Sequence, residues 1–592
     1  MTLNILNKIN EPKDLKYLSR EELNLLSSEI RDVLIKRVST TGGHFGPNLG
    51  MVEATIALHY VFNSPVDKFV YDVSHQSYVH KMLTGRKEAY INPEKFKTVT
   101  GYTEPKESEH DFFTIGHTST SISLACGLAK GRDAVGSNEN IIAIIGDGSL
   151  SGGEAYEGLN NAAASNKNII ILVNDNDISI AENHGGLYKN LAQLRESEGK
   201  LDNNFFKSLG FEYHFVKDGN NLESLIETFE KVKDTTRPVV VHMHTIKGKG
   251  YEDAENNKEA FHWVMPFDLE TKEPLFKGEY VKSYGDITED FLIEKAKKDK
   301  SIVAITAATP GIVGVNRFTS ELQDQYVDVG IAEEHAIALA SGMAKRGAKP
   351  VAAFLSSFIQ RTYDQLSQDL AINNNPATIM VYWGGISGSD VTHLGLFDIP
   401  LISNIPNMVY LAPTTKEEHL AMVDWAIEQD KHPVAIRVPN MEVVSTGVAV
   451  EANFDELNKY VMVEEGKDVA IIGLGSFFHL GKKVQERLRN TGINATLINP
   501  RFITGVDEDL LNELKENHKV VITLEDGILD GGFGEKISRF YGNSQMRVLN
   551  FGATKEFTDS VELDVLYERY HLTEELIVED IEKVLADIKV FA

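Results

Sequence analysis

The stretch that most constrains the fold of this chain is residues 141–183. It opens with an apolar run, IIAII, that ends in a GDG triplet at 146–148. A second apolar run, IIILV, ends in an NDN triplet at 174–176, and residues 154–164 between the two runs have a helical composition. Two short β-branched runs joined by a helix predict a βαβ unit with parallel strands. The chain is therefore expected to form an α/β fold.

Both triplets stand where a predicted strand ends, and ligands of open α/β sheets bind at the carboxyl ends of strands. Asp147 offers a carboxylate between two glycines, and Asn176 offers an amide oxygen 29 residues later. Oxygen donors of this kind suit Mg²⁺, which completes its octahedron with substrate phosphates. The pattern therefore predicts a magnesium and phosphate site, with an ordinary βαβ glycine turn as the alternative.

Length and charge narrow the classes of protein. A chain of 592 residues is too long for one hydrophobic core. The net charge of −28 disfavours a nucleic-acid or anionic-membrane partner. The single cysteine, Cys126, excludes an intramolecular disulfide and fits a reducing compartment. No apolar run approaches the ~20 residues that span a bilayer. We therefore expect a cytoplasmic protein that acts on small molecules.

Histidines recur in glycine-rich or strand-end loops of the first part of the chain. A lone histidine is more often structural than catalytic. Several in such loops predict a site that handles protons and phosphates. They are His44, His75, His110 and His117.

These segments resemble the 1-deoxy-D-xylulose-5-phosphate synthase family, thiamine diphosphate enzymes related to transketolase. The matching segments read GGHF, SHQSYVHK and GHTSTS, followed by the GDG and NDN triplets. The resemblance implies three doubly wound α/β domains: a diphosphate-binding domain at 1–285, a pyrimidine-binding domain at 286–455 and a transketolase C-terminal-type domain at 456–592. It also implies thiamine diphosphate and Mg²⁺ as cofactors, and a homodimer.

The same resemblance assigns roles to individual residues. Cofactor binding falls on His75, Gly116, His117, Ser119, Gly146, Asp147, Gly148, Ser149, Asn176, Lys247, Glu333 and Phe358. The metal ligands fall on Asp147, Asn176 and the main-chain carbonyl of Ile178. The Phe261-His262 pair matches one that approaches the family's site from the linker. The plain alternatives are a solvated turn lysine at Lys247 and a core aromatic at Phe358.

Catalysis is assigned in the same way, to Glu333, His44, His393, Asp390 and Arg361. In thiamine enzymes a glutamate hydrogen-bonds the aminopyrimidine ring and promotes loss of the thiazolium C2 proton by an intramolecular route. Glu333 follows a glycine turn at a predicted helix start. The alternative is an exposed glutamate that interacts favourably with the helix dipole.

The activity that the resemblance implies is carboligation. A 2-oxo acid donor such as pyruvate loses CO₂ and passes a two-carbon unit to an aldehyde acceptor, glyceraldehyde 3-phosphate in this family. That reaction implies a place in isoprenoid and thiamine biosynthesis.

The chain departs from the family at the acceptor site. Leu355 replaces a tyrosine, and Trp383 and Asn440 replace arginines. Arginine–phosphate contacts are charge-assisted and often bidentate, so their loss weakens a phosphate site. Lys247, His44 and Arg437 are the candidates to compensate. A second hypothesis is therefore a synthase-like or transketolase-like paralogue with a different acceptor. A third, a degenerate thiamine-binding scaffold, is disfavoured by the intact cofactor residues.

Overall fold

The computed structural model describes residues 3–165, 167–276, 278 and 280–591. The chain divides into two compact units: Met1–Glu279 with Gly330–Ala332, and Tyr280–Val329 with Glu333–Ala592. The first unit contains one large sheet and the second contains two. The division into three domains at 285/286 and 455/456 stays a prediction.

The strands of the first unit are β1 Gly43–His44, β2 Lys68–Tyr71, β3 Ile141–Gly146, β4 Ile170–Asp175, β5 Glu212–Val216, β6 Val239–His244 and β7 Trp263–Val264. Five of them form a large sheet that is parallel throughout, in the order β2-β3-β4-β6-β5, and β1 and β7 form a small antiparallel pair. The predicted βαβ unit is confirmed, because β3 and β4 pair in parallel and a helix over Gly153–Ala164 joins them.

Helices cover both faces of this sheet. They are α1 Arg20–Thr41, α2 Gly46–Gly50, α3 Val52–Val61, α4 Tyr78–Lys81, α5 Glu88–Ile91, α6 Ser121–Val135, α7 Gly153–Ala164, α8 Gly186–Glu196, α9 Phe205–Leu209, α10 Leu222–Val232 and α11 Glu252–Asn256. Alternate residues of β3 enter opposite cores: Ile142 and Ile144 join one cluster, Ile141 and Ile145 the other. Burial on both faces explains the continuous apolar runs in the sequence.

One strand ends earlier than its sequence suggests. The run at 69–73 predicts a strand, but β2 ends at Tyr71, and Val73 and Ser74 adopt φ values of 58° and 65°. The Asp72 carboxylate accepts hydrogen bonds from the backbone of Ser119 and Ser121, so the chain turns at this point. This long-range contact overrides the local β propensity.

The second unit has two sheets. One is six-stranded and parallel, in the order β12-β13-β11-β10-β8-β9; the other has the order β14-β16-β15-β17-β18 and is parallel except for the β14–β16 pair. The strands are β8 Ile302–Thr306, β9 Tyr326–Asp328, β10 Lys349–Leu355, β11 Thr378–Tyr382, β12 Val409–Leu411, β13 Val434–Arg437, β14 Val461–Glu464, β15 Asp468–Gly473, β16 Thr496–Asn499, β17 His518–Ile528 and β18 Arg547–Ala553.

The helices of the second unit flank these sheets, as the predicted doubly wound fold requires. They are α12 Tyr284–Ala296, α13 Phe318–Glu321, α14 Glu333–Lys345, α15 Asp398–Ser403, α16 Lys416–Glu428, α17 Phe477–Asn490, α18 Glu508–Asn517, α19 Phe533–Tyr541, α20 Leu563–Arg569 and α21 Glu574–Phe591. Within the described ranges, no helix combines the length and apolar character that a membrane span requires.

Candidate active site

The predicted phosphate residues of the first unit lie at the carboxyl edge of its sheet. The GDG triplet follows β3, the NDN triplet ends the neighbouring β4, and Lys247 follows β6. Because these strands are parallel neighbours, their terminal loops meet at one edge. The structure therefore brings the two triplets together, as the sequence predicts.

Asp147 and Asn176 supply the oxygens expected of a cation site. The Asp147 carboxylate is buried and accepts a hydrogen bond of 3.0 Å from the Asn183 side chain. Burial, and secondarily the charge of Asp175, raise its pKa well above the ordinary value. The side-chain oxygen of Asn176 is buried without a hydrogen-bond partner. The Asn176 oxygen lacks a hydrogen-bond partner, and the ionised form of the buried Asp147 carboxyl needs a neighbouring positive charge. Both properties fit an oxygen-binding cation such as Mg²⁺.

The remaining metal donor expected from the sequence is main-chain. Ile178 lies in the same loop and pairs with Glu182 in an isolated bridge. Among the described residues no group of three or more His, Cys, Asp or Glu side chains could hold a metal ion. The donor set expected here has one carboxylate, so it depends on an amide, a carbonyl and the oxygens of a bound diphosphate.

Gly148 lets the two strand-end loops approach. A Cβ atom at this position would stand 2.3 Å from the Cβ of Ser179. Only glycine therefore allows the NDN loop to pack on the GDG turn. The Tyr188 hydroxyl closes the turn by donating to the carbonyls of Asp147 and Gly148, at 3.2 and 3.1 Å.

Lys247 is a buried lysine rather than a solvated turn residue. Its ammonium group donates to the Ser179 carbonyl at 2.6 Å and to Nδ1 of His262 at 3.0 Å. Burial lowers its pKa to about 8, and the charge of Asp147 opposes that shift. Burial and the charge of Lys247 hold the pKa of His262 well below its ordinary value, so His262 is neutral.

Three histidines form a cluster beside Lys247. The ring centroids of His44 and His75 lie 4.8 Å apart, and His262 lies 5.7 Å from His44 and 5.3 Å from His75. The buried Asn48 side chain fixes two of the loops by donating to the carbonyls of His44 and His75, both at 2.8 Å. Tyr102 packs edge-on against His44 at 5.9 Å.

The predicted cofactor-binding residues Gly116, His117 and Ser119 lie in one turn but have different environments. Gly116 is buried, and His117 is half-buried in the turn that Asp72 holds. The Ser119 hydroxyl donates to the carbonyl of Ser149 at 2.8 Å, so it joins the two loops directly. His110 does not enter the histidine cluster; it pairs with the Ser64 hydroxyl at 2.8 Å.

The second unit buries Glu333 at the start of α14. Its side chain is 5% exposed, and its Oε2 atom has an ion pair with Arg361 at 3.8 Å but no hydrogen bond. Burial raises the pKa of Glu333 to about 7, against the charge of Arg361. This is not the exposed, dipole-stabilising glutamate of the alternative interpretation. A buried carboxyl with one oxygen that lacks a hydrogen-bond partner, and with a pKa raised to about 7, fits a ring nitrogen as its partner.

Phe358, His393 and Asp390 are the remaining candidate residues of the second unit. The rings of Phe358 and His393 meet edge-on at 5.7 Å, and Nδ1 of His393 lies 3.3 Å from the Asp390 carboxylate. Burial opposes the ionisation of Asp390, but His393 and Thr392 outweigh it and lower the pKa of Asp390. The structure thus brings all five predicted residues of the second unit into one region.

The three departures from the family occupy different environments. Leu355 is buried at the end of β10, and Asn440 is exposed. Trp383 is 55% exposed and adopts a φ of 56°, an uncommon conformation for a bulky residue. None of the three offers a cationic group.

Arg437, one of the candidates to compensate for the missing arginines, is held by buried partners. Its guanidinium is buried and donates to the Asp398 carboxylate at 2.7 Å and to the Asp526 carbonyl at 2.7 Å. Bonds of this kind to buried partners are costly to break. Arg437 is therefore already engaged with Asp398 and Asp526, and its part in replacing the lost phosphate contacts stays a prediction.

Sequence reasoning missed the residues that orient the functional ones. The motifs assign no role to Asn48, Asn183 or Tyr102, and each contacts a residue distant in the chain, as the Asn48 side chain does with the His75 carbonyl 27 residues away. The PNLG sequence after the glycine-rich loop was the only available signal, since a buried asparagine in such a loop commonly caps neighbouring backbone.

Comparison with known proteins agrees with this geometry. A family model for 1-deoxy-D-xylulose-5-phosphate synthase matches residues 6–202 and 198–245. Models for the transketolase pyrimidine-binding domain and C-terminal domain match residues 282–444 and 458–577. These matches confirm the predicted transketolase-like fold class.

Curated relatives cover nearly the whole chain. The 1-deoxy-D-xylulose-5-phosphate synthase of Natranaerobius thermophilus is 40% identical over 572 residues, which is 90% of each chain. That of Caldanaerobacter subterraneus is 39% identical and covers 98% of each chain. The chain therefore belongs to the 1-deoxy-D-xylulose-5-phosphate synthase family.

Proposed function

We propose that this chain is a thiamine diphosphate-dependent carboligase that joins pyruvate to D-glyceraldehyde 3-phosphate, giving 1-deoxy-D-xylulose 5-phosphate and CO₂. Membership of the family supports the reaction. The single observation that carries the proposal is Glu333, a buried carboxyl whose pKa is raised to about 7 and whose Oε2 lacks a hydrogen bond.

Glu333 has the properties that pairing with the aminopyrimidine ring requires. It can hold a proton at neutral pH and donate it to a ring nitrogen, or release it and accept. The half-buried Phe358 nearby offers an aromatic face to a planar ring. Bound thiamine diphosphate supplies the nucleophilic carbon and electron sink of the reaction.

The first unit supplies the residues that would hold the diphosphate and Mg²⁺. Asp147, the Asn176 side chain and the Ile178 carbonyl are the proposed metal donors. Lys247 adds a buried positive charge, and Gly148 allows close backbone approach. His75, Gly116, His117, Ser119, Gly146 and Ser149 complete the proposed cofactor set.

Substrate chemistry falls to the histidines and to the Asp390–His393 pair. His44 stands in a cluster with His75 and the neutral His262, and can exchange protons with a bound oxygen atom. Asp390 orients the ring of His393 through Nδ1, and His393 is the proposed proton-exchanging group of this pair. Arg361 provides the cation beside Glu333.

Replacing Glu333 with alanine tests the assignment. Glu333→Ala should abolish turnover, because the carboxyl is lost, while thiamine diphosphate still binds through the first unit. Binding is measured by calorimetry and turnover by CO₂ release. Turnover near that of the wild type would refute the role given to Glu333.

The metal assignment has a separate test. Asp147→Asn keeps the shape of the side chain but removes its charge, so thiamine diphosphate affinity should lose its dependence on Mg²⁺. A calorimetric titration at several Mg²⁺ concentrations measures this. Asp177→Asn is the matched control, because Asp177 lies in the NDN loop with a 40% exposed side chain outside the donor set. Unchanged Mg²⁺ dependence in Asp147→Asn would contradict the site.

Trp383 favours one alternative, a paralogue with another acceptor. It presents a half-exposed indole where the family has an arginine, and Arg437 is held by Asp398. Such an enzyme would release CO₂ from pyruvate faster with an uncharged aldehyde than with glyceraldehyde 3-phosphate. A transketolase-like reaction with a ketose donor belongs to the same alternative.

The wider assignments also belong to this proposal. We expect a cytoplasmic homodimer with small-molecule substrates, no nucleic-acid or membrane partner, and a role in isoprenoid and thiamine biosynthesis. The net charge of −28 and the single cysteine support the partners and the compartment. Sedimentation analysis should give twice the chain mass of 65.8 kDa. The domains would divide at 285/286 and 455/456.

A further inference from the structure

A long irregular segment of the first unit, residues 99–120, leads into the active-site turn at 116–119. It follows a short 3₁₀ turn, Pro93–Thr98, and contains neither helix nor strand. Irregular segments of this length in compact domains are uncommon and usually functional. The question is what holds this segment in place.

Two carboxylates of the segment meet two buried cations. Arg86 contacts both oxygens of Asp111, at 2.6 and 2.9 Å, and lies 3.1 Å from Glu107. Lys81 lies 2.6 Å from the Glu107 carboxylate. The side chains of Lys81 and Asp111 are fully buried, and those of Arg86 and Glu107 are 9% and 13% exposed. We call these four residues the Arg86 cluster.

The Arg86 cluster binds the backbone of the segment as well as its side chains. Glu107 accepts from the amide of Thr100 at 2.6 Å, and Asp111 accepts from the amide of Glu104 at 2.9 Å. Lys81 donates to the Thr100 carbonyl at 2.9 Å. The cluster therefore fixes residues 100 and 104 on either side of Tyr102.

Two buried histidines extend the cluster. Nε2 of His80 lies 2.8 Å from Asp111, and its Nδ1 lies 2.9 Å from Nε2 of His59. Burial lowers the pKa of both histidines, so they are neutral. The charges of the cluster thus balance among Lys81, Arg86, Glu107 and Asp111, which is the condition for keeping four ionised groups buried.

Tyr102 connects this cluster to the candidate active site. Its ring meets His44 edge-on, with centroids 5.9 Å apart and planes at 70°. His44 is also in ring contact with His75 and His262. An edge-on aromatic contact restricts the rotation of an imidazole ring.

We infer that the Arg86 cluster is a positioning device that holds Tyr102 against His44, and that Tyr102 in turn sets the orientation of the His44 ring. The inference rests on the proposed function, because it assigns His44 to the reaction. Tyr102 and the four residues of the cluster are positioning residues. Their effect on the reaction passes through His44.

A double-mutant cycle tests the inference. Asp111→Asn and Tyr102→Ala should each lower kcat/KM by about tenfold to a hundredfold, because misplacement of a catalytic group by about 1 Å costs that much. The loss should fall on kcat more than on KM. Because both changes act through one ring, the double variant should be no slower than the slower single variant. Tyr102→Phe retains the ring and should retain most of the activity.

Matched controls separate positioning from general stability. Glu418→Gln removes a similarly buried carboxylate, which lies 2.8 Å from Arg501 in the second unit. It should lower the midpoint of thermal unfolding without changing kcat/KM. Arg86→Lys, which keeps the charge, replaces Asp111→Asn if that variant does not fold. Hydrogen exchange should accelerate across residues 99–118 in Asp111→Asn but not in Glu418→Gln.

Three results would overturn the inference: additive losses in the double variant, wild-type kcat/KM in Tyr102→Ala, or unchanged exchange across residues 99–118 in Asp111→Asn. The exchange experiment needs no turnover. If wild-type protein loaded with thiamine diphosphate and Mg²⁺ releases no CO₂ from pyruvate in the presence of D-glyceraldehyde 3-phosphate, the proposed function fails separately, and the exchange result still decides whether the cluster holds the segment.

Discussion

Burial shifts the pKa values of single residues in both units away from their ordinary values in water. In the first unit, burial raises the pKa of Asp147 and lowers that of Lys247 to about 8. In the second, burial raises the pKa of Glu333 to about 7. Groups with strongly shifted pKa values cluster at functional sites, where burial and neighbouring charges are arranged to shift them.

The shift at Glu333 makes stability depend on pH. Its folded pKa, about 7, exceeds the ordinary value of 4.5, so its protonated form favours the folded state. That contribution is complete below pH 4.5 and is lost as pH rises through about 7. Glu333→Gln cannot ionise. In the absence of cofactor, the midpoint of thermal unfolding of Glu333→Gln, relative to that of the wild type, should therefore rise as the pH increases from 4.5 to about 7.

Thermal unfolding of both proteins over the window measures the difference. Glu334→Gln is the control, because Glu334 is the next residue but is only half-buried. A constant difference between Glu333→Gln and the wild type would contradict the raised pKa.

Sequence could identify the residues that carry chemistry but not those that orient them. Asp147, Asn176 and Glu333 stand in motifs whose spacing follows from strand and helix ends. Asn48 acts through a contact with the His75 carbonyl, and Tyr102 through a contact with His44, and no spacing reveals either contact. Arg437 shows that a fitting position in the sequence does not reveal the partner of a side chain. Its position fits a phosphate ligand, but in the structure it pairs with Asp398, 39 residues away in the chain.

At the scale of secondary-structure elements, the strands of the first unit place the functional residues by ending at a common edge of the sheet. The turn after β3 and the loop after β4 meet because their strands are parallel neighbours. The start of α1 follows a local signal, a capping box between Ser19 and Glu22. The end of β2 was missed, because Asp72 is turned by contacts with Ser119 and Ser121.

Gly148→Ala tests the packing of the two strand-end loops. The new methyl group would meet Ser179 at 2.3 Å, so the NDN loop must move away. Overpacking of this kind costs about 1–3 kcal/mol, and a shift of that size in the site weakens cofactor affinity by about tenfold or more. Calorimetric titration with thiamine diphosphate and Mg²⁺ measures the change.

Gly153→Ala is the control for that substitution. Gly153 begins α7 in the same βαβ unit, and a Cβ atom there meets nothing within 4 Å. Alanine also favours a helix. Its affinity for the cofactor should match that of the wild type. Equal affinities in Gly148→Ala and Gly153→Ala would mean that the close approach of the loops is unimportant.

At the scale of the whole molecule, the described residues form three large sheets of mostly parallel strands and one small antiparallel pair. Short apolar runs between helices predict that class, because parallel strands are buried on both faces. The family's motifs add the order of the domains, which no local physical rule supplies. Substrate identity is harder to predict, since it depends on a few side chains such as Trp383 rather than on the fold.

The most direct test is the reaction itself. Purified protein with Mg²⁺, thiamine diphosphate and pyruvate is assayed for CO₂ and product mass, with and without D-glyceraldehyde 3-phosphate. The account predicts CO₂ release that depends on the aldehyde and a product with the mass of 1-deoxy-D-xylulose 5-phosphate. Absence of both, in protein shown to bind the cofactor, would contradict the account.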